Sequence, residues 1–191
     1  MTRFDAAAAI IIGDEGPCGN DPRDAGGLTV FGHDQASWPD LLSRVQPAIR
    51  AQLPHAVADL TRDQALLAYR AGYWDFVHGD DLPAMLALAL FDAVVNQGPG
   101  WAPAAFQSVL GVQVDGDIGL VTARAAGACD VLAVLSEFTY RRLLRYRQAR
   151  NYATFGHGWE TRAIRTAVLA AVYDDAAVPA AWLPHSGAPQ N

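Results

Sequence analysis

The chain has 191 residues, about half of them apolar, and only two cysteines, so one domain, or a domain with a small second lobe, can bury enough surface to fold without a disulfide or a metal. All 14 basic residues are arginine, and 20 carboxylates leave a net charge of -6. Thirteen Asp/Glu face six Arg in residues 1–95 and seven face eight in residues 96–191, so no strongly basic domain exists and no nucleic-acid partner is expected.

In chain order, Phe4, Ala8, Ile11 and Ile12 recur at helical spacing and predict a first helix, stopped by Gly16-Pro17. Residues 16–34 are rich in Gly, Asp, Pro and Asn and read as an irregular turn or a short hairpin. Ser37, with Pro39 and Asp40 behind it, predicts a capped helix carrying Trp38, Leu42, Val45, Ile49 and Leu53. Thr61 to Gln64 reads as a second capping box, leading into a helix with Leu66, Tyr69, Tyr73 and Phe76. Pro83 opens a helix that is apolar almost all round from Met85 to Val95, the pattern of a core helix. Gln97-Gly98-Pro99-Gly100 breaks it. A short helix with Phe106, Val109 and Leu110 follows, then a Gly/Asp loop over residues 111–119. Asp130 is placed to cap a long helix over 131–150, and a last helix is expected from Trp159 to Tyr173, with a frayed tail from Ala176. The fold class is therefore all-α, mainly helical, with a short turn or hairpin after the first helix.

Several chemistries are set aside. Cys18 and Cys129 lack metal-ligand spacing and are expected to be free thiols. The five histidines are scattered, and Asp115-Gly116-Asp117 lacks the terminal glutamate of a calcium loop, so neither metal nor cofactor is expected. No run approaches the ~20 apolar residues that span a membrane. The N-terminal MTRFDAAAAIII offers no cleavage site clear of the acidic turn, so a cleavable signal peptide is not expected. Arg141, Arg142, Arg145, Arg147 and Arg150 form either the solvated face of a helix or a patch attracted to an anionic polymer.

Glu15 is the residue that points to chemistry. It lies eleven residues after Phe4, nearly three helical turns, so it shares the side of the apolar stripe. It also follows the helix C-terminus, where the macrodipole disfavours negative charge. Both effects favour a protonated carboxyl, which a general acid for glycosidic cleavage requires.

The run Glu15-Gly16-Pro17-Cys18-Gly19-Asn20-Asp21-Pro22-Arg23-Asp24-Ala25-Gly26-Gly27-Leu28-Thr29-Val30-Phe31-Gly32 resembles the signature of the glycoside hydrolase family 108 muramidases. Tyr73-Trp74, Asp81-Leu82-Pro83, Phe91-Asp92, Val95-Asn96 and Gly98-Pro99-Gly100 look like that family's later motifs. Residues 104–126 look like its peptidoglycan-binding part, and Phe155-Gly156, Gly158-Trp159 and Arg162 like its C-terminal segment. Pro17-Cys18 stands in place of the family's Gly-Tyr, Ala25 in place of proline, and His33-Asp34 in place of Ile-Thr.

The resemblance implies a lysozyme-like fold and a peptidoglycan substrate. Glu15 would protonate the oxygen between N-acetylmuramic acid and N-acetylglucosamine. Asp21 or Asp24 would hold water as a base or would serve the turn. Asn20, Gly26, Gly27, Thr29, Tyr73, Trp74 and Asn96 would contact the glycan. The expected division is a catalytic lobe over 1–97, a wall-binding helical segment over 98–175 and a tail over 176–191. A monomer is expected, made in the cytoplasm and reaching the periplasmic cell wall with a holin or another export helper. A hydrolase, a lytic transglycosylase using the same acid, and an inactive wall-binding relative all remain open.

Overall fold

The computed structural model describes residues 2–12 and 27–172. These divide into two compact units, one of the described residues up to Asp75 and one from Phe76 onward. The fold is mainly helical with one two-stranded hairpin, as expected.

In the first unit, α1 (Arg3–Ile12) buries Phe4, Ala7, Ala8 and Ile11, the apolar stripe read from the sequence. The expected stop at Gly16-Pro17 lies outside the described residues. Strands β1 (Thr29–Val30) and β2 (His33–Asp34) pair antiparallel, Thr29 opposite Asp34 and Val30 opposite His33. Both loop residues have positive φ, Phe31 at 48° and Gly32 at 78°, which is the hairpin turn whose twist matches the strands.

The helix expected from Ser37 to Leu53 is two helices, α2 (Trp38–Arg44) and α3 (Pro47–Arg50), because Pro47 has no amide hydrogen to continue α2. Ser37 does not cap with its side chain. Its amide and hydroxyl both donate to the Asp34 carboxylate instead, so the cap is spent on the hairpin. The inward face holds Trp38, Leu41, Val45 and Leu53, with Leu41 in place of the expected Leu42.

The second capping box forms as read. The Thr61 hydroxyl accepts from the Gln64 amide, and the Gln64 side chain accepts from the Thr61 amide, at the start of α4 (Arg62–Tyr69). The helix then widens into a π turn over Arg70–Trp74. A Cβ on Gly72 would come within 2.9 Å of Leu41, so glycine there lets α2 pack against the turn.

In the second unit, α5 (Ala84–Gln97) is buried on every side from Leu86 to Val94, as its sequence predicts. It packs against α8 (Val131–Arg147) and α9 (Tyr152–Ala171), with α6 (Ala102–Leu110) on its flank. Gly98, at φ 89°, ends α5, and Gly111, at φ 70°, ends α6. The Gln97–Gly100 break is therefore the turn between two helices of one unit. Asp130 caps α8 by accepting from the Ala133 amide at 3.1 Å. Helix α7 (Leu120–Ala128) is not marked by the sequence pattern, and α9 starts seven residues before the expected Trp159. No described helix is long and apolar enough to cross a membrane. The expected tail lies outside the described residues.

Candidate active site

Glu15, Asn20, Asp21, Asp24 and Gly26 lie outside the described residues, as does Cys18. The structure does describe what flanks them, α1 on one side and the hairpin on the other. Gly27 enters the hairpin at φ 71°, a conformation that favours glycine, and a Cβ there would meet no neighbour within 4 Å among the described residues. Backbone conformation is therefore what calls for glycine. Val30 and His33 point into the core, which leaves the pair Thr29 and Asp34 on the other face, both half-buried. The Asp34 carboxylate is occupied by Ser37.

Tyr73 and Trp74 sit in the packed interior of the first unit. Trp74 is 0% exposed and meets Phe4 edge-on, with ring centroids 5.9 Å apart. The resemblance implied a sugar contact for Trp74, and its ring lies at the end of the π turn with no exposed surface. Tyr73 is 6% exposed, and burial pushes its hydroxyl up to about 12. Its ring lies 6.1 Å from His33 and has the Arg44 guanidinium over it.

His33 was read only as a departure from a pattern, yet it is a core residue at 3% exposure. Its Nε2 lies 3.2 Å from the Ala65 carbonyl, and its ring packs on Trp38 and Tyr69. Burial pushes its pKa down to about 4, so the ring is neutral at pH 7.

Only three glutamates occur in the chain. Glu137 is bonded to Arg141 at 2.8 Å. Glu160 accepts from Arg147 and from the Tyr152 hydroxyl, each at 2.9 Å, and the Arg147 bond holds its carboxyl below the ordinary range. Glu160 is thereby held in its ionised form, and both carboxylates are engaged by arginines.

Asn96, the last expected site residue, belongs to a buried charged network. Asp92 is fully buried on α5. It accepts from Arg142 at 2.6 Å and from Arg162 at 3.0 Å. The Asn96 amide donates to the Asp92 carboxylate and backbone carbonyl, both at 3.0 Å. Burial pushes the Asp92 carboxyl up, and the two guanidiniums outweigh that and hold it below the ordinary range. Arg142 is 1% exposed, so this member of the arginine cluster belongs to neither a solvated face nor a surface patch. The sequence did carry a signal for this network. A lone aspartate inside an otherwise apolar, fully buried helix must find a cation.

A family model described as Glycosyl hydrolase 108 matches residues 8–98. A solved structure titled "Structure of Brucella abortus SagA" is 33% identical, with 88% of this chain and 94% of that chain covered and a TM-score of 0.77. Among curated proteins no relative matches.

Proposed function

Since the chain belongs to the Glycosyl hydrolase 108 family, and with it to the glycosidases that degrade peptidoglycan, we propose that it is an N-acetylmuramidase with Glu15 as its general acid. The observation that carries this reading is the run from Glu15 to Gly32, which keeps the family's spacing of Glu, Asn-Asp-Pro, Asp, Gly-Gly, Thr and Gly. The engagement of Glu137 and Glu160 with arginines supports it by elimination. In sequence Glu15 comes just after α1, and a helix end favours the neutral form of a carboxyl.

In this reading Glu15 donates its proton to the glycosidic oxygen as the bond to the muramic C1 breaks. The oxocarbenium-like centre is then captured by water. Asp21 or Asp24 holds that water, and Asn20, Gly26, Gly27 and Thr29 shape the opposing turn. Residues 98–175 serve attachment to the wall, a role suited to their net charge of +1 against -7 for residues 1–95.

The test is Glu15→Gln, which is nearly isosteric and removes only the transferable proton. A zymogram on purified cell wall should lose clearing by at least about a hundredfold, within the range that general acid catalysis supplies. The thermal melt should be unchanged. A folded variant that still clears the wall at more than a few per cent of the original rate would end the assignment.

A further inference from the structure

The turn between β1 and β2 carries a backbone conformation that its residue does not favour. Phe31 takes φ 48°, in the left-handed region, ahead of Gly32 at φ 78°. A two-residue hairpin turn with both residues in this region is the place for Asn-Gly, Asp-Gly or Gly-Gly, because the Cβ of a bulky residue crowds its own backbone there. Gly32 meets that demand and Phe31 does not.

The surroundings of the tip hold the strain in place. His33 is fixed in the core by the Ala65 carbonyl and by the Trp38 and Tyr69 rings. Asp34 beside it accepts from the Ser37 amide and hydroxyl. Val30, on the other strand, is buried and pairs with His33. The chain thus has two residues in which to reverse, and Phe31 must be one of them.

The ring gains no place in the aromatic core in return. Every other Phe, Tyr and Trp described in the first unit meets a second ring, Phe4 with Trp74, Trp38 with His33 and Tyr69 with Tyr73. Phe31 meets no ring among the described residues and stands half-buried at the tip. In sequence it is the only aromatic residue of the run from Glu15 to Gly32, where Cys18 stands in place of the family's tyrosine. Thr29, expected at the glycan, comes two positions earlier on the hairpin face away from the core. A bulky residue under strain, at a turn that asparagine or glycine would make freely, points to a use outside folding.

We propose that Phe31 is a sugar-stacking residue of the substrate site, offering its ring face to the C–H face of one pyranose of the glycan. The two surfaces match in flatness, which gains dispersion contacts, and in polarity, since the ring face is negative. The inference rests on the peptidoglycan reading for its ligand and gives Phe31 a role in binding, with no part in proton transfer.

The full chain carrying Glu15→Gln is titrated by calorimetry with a tetrasaccharide of alternating N-acetylglucosamine and N-acetylmuramic acid, alone and with a second change at Phe31. Phe31→Tyr keeps a ring face and should bind within about threefold of the parent. Phe31→Leu keeps the apolar bulk without the ring face, and Phe31→Asn relieves the turn. Each should bind about tenfold more weakly. Neither should lower the melting temperature by more than about 2 °C, since leucine keeps the apolar contact and asparagine suits the backbone. In the chain that retains Glu15, Phe31→Leu should raise KM about tenfold and leave kcat within about twofold, as loss of uniform binding does. Leucine or asparagine binding as tightly as phenylalanine, melting temperatures that fall while affinity holds, or a parent that binds no tetrasaccharide would each overturn the proposal. The titration contains no turnover, so failure of the Glu15 assignment shows as clearing in the zymogram and failure of Phe31 shows here.

Discussion

At residue scale His33 ties stability to pH. In the unfolded chain its pKa is the ordinary 6.5, and in the fold burial lowers it to about 4, with Ala65 and Asp34 opposing part of that shift. The groups around it are Asp34, Tyr69, Tyr73 and Trp38, and only Asp34 carries charge at neutral pH. Above pH 6.5 the ring is neutral in both states and contributes nothing. As pH falls toward 4 the unfolded chain takes up a proton that the folded chain refuses, so stability declines across that window and levels off below it. A difference of this size is worth about 3 kcal/mol. Urea denaturation should therefore weaken by that order between pH 6.5 and about 4. His33→Ile, the residue type of the family pattern, should flatten the slope in that window even if it shifts the absolute stability. Parallel curves for the two proteins would mean that His33 is not the group responsible.

At the scale of elements, Gln107 holds the Gly/Asp loop onto α6. It is 1% exposed, accepts from the Asp115 and Gly116 amides, and donates to the Asp115 carboxylate, the Asp117 carbonyl and the Thr122 hydroxyl. The loop's aspartates are thus arranged around a glutamine, and no metal-holding cluster is found among the described residues. Gln107→Ala should cost about 2–3 kcal/mol, since several polar groups lose a buried partner while those nearest the surface recover water. Hydrogen exchange should accelerate at the Asp115 and Gly116 amides, and unaltered exchange there would contradict this role. The same bonds mark the limit of what the sequence made legible. The Thr61–Gln64 cap and the buried α5 were readable because cap chemistry is local and an all-round apolar helix has one place to go. The first helix, the hairpin and the Asp130 cap followed in the same way. Ser37 misled because Asp34, three residues earlier, competes for it. Helix α7 is hard to read because its large apolar residues Leu120 and Val121 are 72% and 70% exposed, while its inward face is made by Thr122 and Ala126. The early start of α9 was hidden by Gly156, whose low helix propensity is offset by the Tyr152 ring lying over it. The Asp92–Arg142 pair joins positions fifty residues apart, and no local pattern separates Arg142 from its four neighbouring arginines.

For the whole molecule the question is what accepts the glycosyl group. In sequence Glu15 is followed by Asn20, Asp21 and Asp24 and then by the hairpin, whose outward pair is Thr29 and Asp34. In the proposed reading a run of this polar composition supplies groups that hold a water molecule, and hydrolysis needs such a water. Capture by the muramic acid 6-hydroxyl needs none and would be favoured by a dry, apolar wall facing the acid. Digestion of purified glycan strands should therefore give products with reducing muramic acid ends. Internal capture would give 1,6-anhydro ends, lighter by one water, and mass spectrometry separates the two. If Asp21 or Asp24 acts as base on that water, the carboxyl groups should stand roughly 6.5–9.5 Å apart and the anomeric configuration should invert. Asp21→Asn and Asp24→Asn, made separately, should then differ, with the base variant losing turnover far more than substrate affinity, because a base acts in the transition state and adds little to ground-state binding. The other variant should lose stability in proportion to activity, as a turn residue does. Products dominated by anhydro ends would overturn hydrolysis while leaving the proposed role of Glu15 as proton donor untouched, because both routes begin with protonation of the same glycosidic oxygen.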